Sequence, residues 1–141
     1  MPAYIPCYCG AIRQATRAIT NFYDSKLSSA GLYTTQFTIL QGVKAASGEK
    51  TTGLAERLGM DQTTLARALK KMSEAGLLIN KAGADRREKF WFLTQLGQEK
   101  LREAEPLWID AQKEFKKHFG EEKARRLREL SAEVTELFFL P

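Results

Sequence analysis

Residues 51–76 read TTGLAERLGMDQTTLARALKKMSEAG, and this stretch decides the fold. Thr51 or Thr52 caps a short helix carrying Leu54, Ala55 and Leu58. Gly59, Met60 and Asp61 make a tight turn, with Asp61 suited to cap a second helix from about Gln62 to Ala75. Leu65, Leu69 and Met72 form one apolar stripe on that helix, and Gly76 stops it. Two helices joined by a short turn containing Gly are the helix-turn-helix plan. Its physical logic is that Leu54, Leu58, Leu65 and Leu69 lock the helices at a fixed angle. The polar N-terminal face of the second helix then projects outward. Gln62, Thr63, Thr64 and Arg67 would face a DNA major groove, where Gln and Arg each make bidentate contacts to base edges. The first amides of the helix point toward phosphate. The competing reading is a capped surface helix with Arg67 in solvent.

The chain changes period just downstream. Leu77-Leu78-Ile79 reads as a short strand, Gly83-Ala84-Asp85 as a turn, and Lys89 to Leu93 as a returning strand. This hairpin is a wing, and Asp85-Arg86-Arg87-Glu88-Lys89 puts three cations at its tip. Such a tip reaches an adjacent minor groove, whose negative potential attracts Arg. Asp85, two positions before Arg87, is placed to hold the guanidinium and shape the wing. The alternative is an ordinary solvated turn.

Further out, Ile12, Ala15, Ile19, Phe22 and Leu27, with Tyr23 beside them, recur at helical spacing and end near Gly31. A second helix covers Thr35 to about Ala46, with Phe37, Leu40 and Val43 inward, and Ser47-Gly48 closes it. On the other side, Thr94 caps a long helix with a heptad-like seam of Leu101, Ala104, Trp108, Ala111 and Phe115. Pro106 should bend it, because proline removes a donor and crowds the preceding turn. After Gly120, a last helix aligns Leu127, Leu130, Val134, Leu137 and Phe138. These outer stripes either close a monomeric core or pack against a second copy, and the second copy is the more natural partner for three long helices. The expected fold is mainly α: a winged helix-turn-helix lobe at 32–95 with a two-stranded wing, inside a single domain spanning 1–141. Segments 7–31 and 96–139 are the expected dimerisation helices.

The 141 residues are 43% hydrophobic and 28% charged, the balance of a globular protein rather than a disordered one. No run approaches the roughly 20 apolar residues of a membrane span, and the N-terminus lacks a secretory signal. A cytoplasmic location without a membrane partner is expected. The net charge of +5 favours an anionic partner such as nucleic acid. Cys7 and Cys9 are badly spaced for a mutual disulfide. Nothing requires either to meet the lone His118, and the glycines form no nucleotide-binding loop. An enzyme, a cofactor and a metal site are therefore not expected. Cys9 reads either as a small inert apolar residue or as a reactive thiol. A metal shared between subunits would need more ligands than Cys7, Cys9 and His118 provide. Tyr23, Phe37, Trp91 and Trp108 read as core before they read as a ligand cavity.

Taken in order, several stretches resemble the multiple-antibiotic-resistance regulator (MarR) family across about Tyr8 to Phe138. They are Tyr33-Thr34-Thr35-Gln36-Phe37, Leu54-Ala55-Glu56-Arg57-Leu58-Gly59-Met60-Asp61, Glu74-Ala75-Gly76-Leu77-Leu78, the Asp85-Arg86-Arg87 wing signature, and Leu93-Thr94 followed by Gly97. The resemblance implies a triangular homodimer whose terminal helices interleave, bound to a pseudo-palindromic operator in double-stranded DNA. It also implies repression, released by a small-molecule effector, often phenolic, or by oxidation. It puts Gln62, Thr63, Thr64 and Arg67 in the major groove and Arg87 on the wing. Lys89 departs from it, standing where the family has an apolar strand residue. Cys9, at a helix start where amide dipoles favour thiolate, has the spacing to Gln36 found in the family's organic-hydroperoxide sensors. Tyr23 matches one tyrosine partner of that cysteine, whereas Arg13 replaces the other. The rival function is a winged-helix module that docks proteins without specific DNA binding.

Overall fold

The computed structural model describes residues 3–139. Six α-helices and three short strands follow in the order α1 (Tyr8–Leu27), α2 (Thr34–Ala45), β1 (Glu49–Lys50), α3 (Thr51–Leu58), α4 (Gln62–Glu74), β2 (Leu78–Ala82), β3 (Lys89–Leu93), α5 (Gln95–Phe119) and α6 (Glu121–Phe138). A single 3₁₀ turn, Ser28–Ala30, follows α1 and ends at Gly31. The mainly helical winged arrangement is as expected, with one addition. The wing hairpin β2–β3 is joined by β1, giving the antiparallel order β1-β3-β2 with Lys50 opposite Phe90 and Asn80 opposite Trp91. The hairpin also sits one residue later than Leu77-Leu78-Ile79 suggests. Leu77 is a buried connector whose N–H donates to Met72 and whose carbonyl accepts from Thr94.

One apolar cluster holds these elements together. Leu27, Phe37, Ile39, Leu40, Val43, Leu54, Leu65, Leu69, Met72 and Leu101 are essentially sealed from solvent, with Trp91 and Leu78 closing the sheet side. Burying each such side chain contributes about 1.5–3 kcal/mol, so the angle between α3 and α4 is set by packing rather than by the turn alone. The turn supplies the reversal: Gly59 sits at φ +59°, a left-handed conformation that suits glycine. Where the sheet meets α5, a side chain at position 97 would fall on the Leu77 carbonyl oxygen, so Gly97 permits that contact. Thr94 caps α5 by accepting from the Gly97 N–H at 3.0 Å. The helix then runs unbroken through Pro106.

The helix α6 is different. None of its residues is buried, and its apolar face carries the exposed Leu127, Leu130, Val134, Leu137 and Phe138. Among the described residues, no helix is long and apolar enough to cross a membrane.

Candidate nucleic-acid interface

The helix α4 is fixed by its inner stripe and presented by its cap. Leu65, Leu69 and Met72 are buried, which turns the opposite face of the helix outward. Gln62, Thr63, Thr64 and Arg67 are all exposed. Asp61 takes extended backbone geometry and accepts from the Thr64 N–H at 3.0 Å, an N-cap that starts the helix at Gln62. It also accepts from the Thr64 hydroxyl at 3.3 Å, which ties that side chain back to the turn. Among the described residues the Gln62 and Thr63 amides have no partner in the chain, leaving two oriented donors at the helix start.

The wing tip is built by backbone hydrogen bonds. The Gly83 N–H donates to Glu88 at 3.0 Å and the Glu88 N–H to Asp85 at 2.9 Å. Asp85 Oδ1 accepts from the Arg87 N–H at 3.0 Å, so the acid shapes the turn through the main chain. Its hold on the guanidinium is loose: Arg87 Nε lies 3.9 Å away on a side chain 92% exposed. Arg86 is exposed as well. At the base, Lys50 Nζ pairs with Glu88 at 3.1 Å and Trp91 Nε1 donates to Thr51 Oγ1 at 2.9 Å, anchoring the hairpin to the start of α3.

Lys89 is not at the tip. It opens β3 opposite Ala82 and lines a cleft of about 140 Å³ between α4 and the sheet, with Ala66, Lys70, Asn80 and Trp91. Lys70 is a cation that the motif reading passed over, although it lies one helical turn beyond Arg67 and so shares its side of α4. The strand β1, two residues long, is too short to display any period in the sequence.

The two cysteines lie near the N-terminus, well before this surface in sequence, and both are exposed. Cys7 is the N-cap residue of α1 and Cys9 sits in its first turn. Tyr23 lies fourteen residues further along the same unbroken helix, about 21 Å at 1.5 Å per residue. Within one protomer the pair cannot meet. The Tyr23 hydroxyl donates instead to Gln112 of α5, and burial pushes its pKa above the usual phenol value. His118 is within 3.8 Å of Glu114 on its own helix. Among the described residues no three His, Cys, Asp or Glu side chains gather as metal ligands. Of the four aromatics, Phe37 stacks at a tilt on Trp108 with centroids 5.8 Å apart and Trp91 is buried, so these three belong to packing.

The sequence model of the MarR family matches residues 32–89, the stretch from the start of α2 to the wing. The chain is 35% identical to the transcriptional regulator MosR of M. tuberculosis, solved in complex with DNA, over 93% of this chain and 95% of that one, with a TM-score of 0.84. A second solved structure of MosR gives 32% identity over 96% of this chain and 100% of that one, with a TM-score of 0.80. Among curated proteins, the uncharacterized HTH-type transcriptional regulator YwoH of Bacillus subtilis is 25% identical over 111 residues, 79% of this chain and 81% of that protein.

Proposed function

The chain belongs to the MarR family of DNA-binding transcription regulators, and from that premise we propose that it represses transcription as a homodimer on a pseudo-palindromic operator. The observation that carries this reading is the exposed start of α4. Gln62, Thr63 and Arg67 project from a helix locked behind by Leu65, Leu69 and Met72, with two unpartnered amides beside them. In this reading Gln62, Thr63 and Arg67 touch base edges. Thr64, held by Asp61, presents its methyl group to the groove. Arg86 and Arg87 enter the flanking minor groove, and Lys89 meets the backbone alongside Lys70.

Dimerisation is supported by α6, whose apolar face has no cover in one chain. Residues 32–95 then act as the DNA-reading lobe and 7–31 with 96–139 as the dimerisation helices. Two recognition helices must stand about 34 Å apart, or a multiple of it, to enter successive major grooves on one side of B-DNA. Release follows when a small effector, or oxidation at the exposed Cys9, favours a dimer with a different spacing. The working location is the cytoplasm, where the operator is.

The test is selection of bound duplexes from a random pool by the wild type and by the Arg67→Ala/Arg87→Ala double variant. An inverted repeat enriched by the wild type and lost in the variant supports the proposal. If the wild type enriches no motif at moderate salt, the assignment of α4 fails and protein docking replaces it.

A further inference from the structure

The helix α6 has a second face besides its apolar stripe. Ala124, Arg128, Ser131 and Thr135 recur at spacings of four, three and four, and so share one side of the helix. At 3.6 residues per turn, Thr135 stands about 140–160° around the helix from Leu130 and Leu137. This side is the one turned toward its own chain. Ala124 is the one residue of α6 that is not exposed, and Arg128 and Ser131 line a groove with Tyr23, Gln112 and Phe115 of α1 and α5. At its far end the same side reaches the turn between α3 and α4. A carbon added at Gly59 would stand 3.7 Å from Thr135 Cγ2, an ordinary van der Waals distance. Among the described residues no other atom beyond its chain neighbours comes within 4 Å of that point. The space between α6 and the turn is thus a single carbon wide. The methyl group is fixed there, because the Thr135 hydroxyl donates to the Ser131 carbonyl at 3.0 Å and so sets the rotamer of a β-branched side chain.

We propose that Thr135 is a positioning residue for α4: its methyl group is the stop that limits how closely α6 and the turn approach, and through it α6 sets the separation of the two recognition helices in the dimer. The turn has little give of its own. Gly59 is held left-handed at φ +59°, the Met60 N–H donates to the Ala55 carbonyl at 2.9 Å, and Asp61 caps α4 two residues after Gly59. A push on Gly59 is carried into the first turn of α4, where Gln62 and Thr63 stand. The helix α6 meets this turn on one side and presents Leu130 and Leu137 to solvent on the other. A second copy seated on those leucines would act on α4 across the width of one helix, without the longer path through α5 and the wing. A methyl group against a glycine carries no charge and makes no hydrogen bond, so its size alone is felt, as in any close-packed contact. The spacing half of this inference rests on the proposed repressor dimer, whereas the contact itself does not.

Amide hydrogen exchange on the full chain reads the contact without DNA. Thr135→Phe overfills the space and should change exchange at Met60 by at least about threefold, the scale of one methyl group's packing. Thr135→Val keeps the methyl group and the size, and should match the wild type. Gly59→Asn suits a left-handed backbone and fills the space from the turn; its effect at Met60 should be reversed by adding Thr135→Ala. Neither position belongs to the core, so these variants should fold. Unchanged exchange in Thr135→Phe, or no relief by Thr135→Ala, would overturn the contact. Selection from duplexes with a variable gap between half-sites then reads the spacing. Thr135→Phe should enrich the wild-type half-sites at a gap altered by at least one base pair, about 3.4 Å. Weaker binding at an unchanged gap is what a merely structural role gives, and would overturn the positioning role. A repeat enriched at an unchanged gap, with exchange unchanged, sinks this inference alone. Altered exchange with no repeat enriched by the wild type sinks the repressor reading, and the spacing half with it, and leaves the contact standing.

Discussion

The helices α4 and α6 are both amphipathic and both short of twenty residues, yet only one of them is finished within its own chain. On α4, Leu65, Leu69 and Met72 are at most 1% exposed. On α6, Leu130 is 49% exposed, Val134 45% and Phe138 74%. The same kind of apolar stripe thus has two outcomes, set by what the rest of the fold puts opposite it. α4 lies against α3 and β2 inside the shared core, so its polar face is aimed by packing that already exists. α6 touches α5 and leaves its stripe uncovered. One region holds the shape of its outer face alone. The other leaves a stripe of apolar side chains partly open to solvent.

The largest effect should come from breaking the unfinished region. Leu130→Asp/Val134→Asp puts two carboxylates on the exposed stripe of α6 and should leave the monomer folded, because neither residue contributes to the core. If the dimer reading holds, sedimentation equilibrium should show single chains. Operator affinity should fall by about 10²–10⁴-fold as two linked half-site contacts become one. A variant that sediments as a dimer breaks the comparison at its root.

The finished region should respond in the opposite currency. Leu69→Ala removes a fully buried side chain between α4 and the core and should cost about 2–5 kcal/mol in denaturant unfolding. Its unfolding should not depend on operator contacts. Arg67→Ala, on the outer face of the same helix, should leave unfolding unchanged. It should weaken operator binding by about 1–3 kcal/mol and relax preference at one base position, which a competition assay with single-base operator variants would read. Loss of stability in Arg67→Ala would mean that the inner and outer faces are not separable as described.

These contrasts explain how much was legible from residues alone. The turn from Leu58 to Gln62 was readable because its chemistry is local: Gly59 for a left-handed backbone, Asp61 for a cap, and a stripe of leucines on each side. Thr94 was readable for the same reason. The strand β1 was not, because Glu49 and Lys50 are strand only through their pairing with Phe90 and Trp91, forty residues away. Lys89 looked like a tip residue by sequence distance, but strand register turns it toward the cleft with Lys70. Apolar periodicity marked α6 as a helix with a face, and could not say what the face meets.

A smaller effect separates the cap from the packing. Asp61→Ala removes the acceptor for the Thr64 N–H and should destabilise by about 1 kcal/mol, well below Leu69→Ala. It also frees the Thr64 hydroxyl, so base preference should shift even where affinity barely moves. A cap worth as much as the core leucine would mean that the turn, not the stripe, holds α4 in place.

The smallest effect lies in the helical region, on the ion pair that ties α1 to α5. Lys26 hydrogen-bonds Glu114 and holds its carboxyl below the usual carboxylate range, with His118 and Lys117 adding to the same pull. A carboxyl whose pKa is lower in the folded than in the unfolded state contributes stability above its unfolded pKa. That contribution is lost as pH falls through the folded value. Lys26→Met should therefore lower stability slightly near neutrality and flatten the acid limb of the stability profile, the two proteins converging as pH falls through the folded carboxyl pKa. Glu114 is solvent-exposed enough for salt to screen the pair, so the difference should shrink further at high ionic strength. Unfolding midpoints across acid pH at two salt concentrations measure it. A large, salt-insensitive loss in Lys26→Met would show that α1 is pinned to α5 by this contact rather than by Phe22 against Phe115, and that the helical region has a rigid element of its own within a single chain.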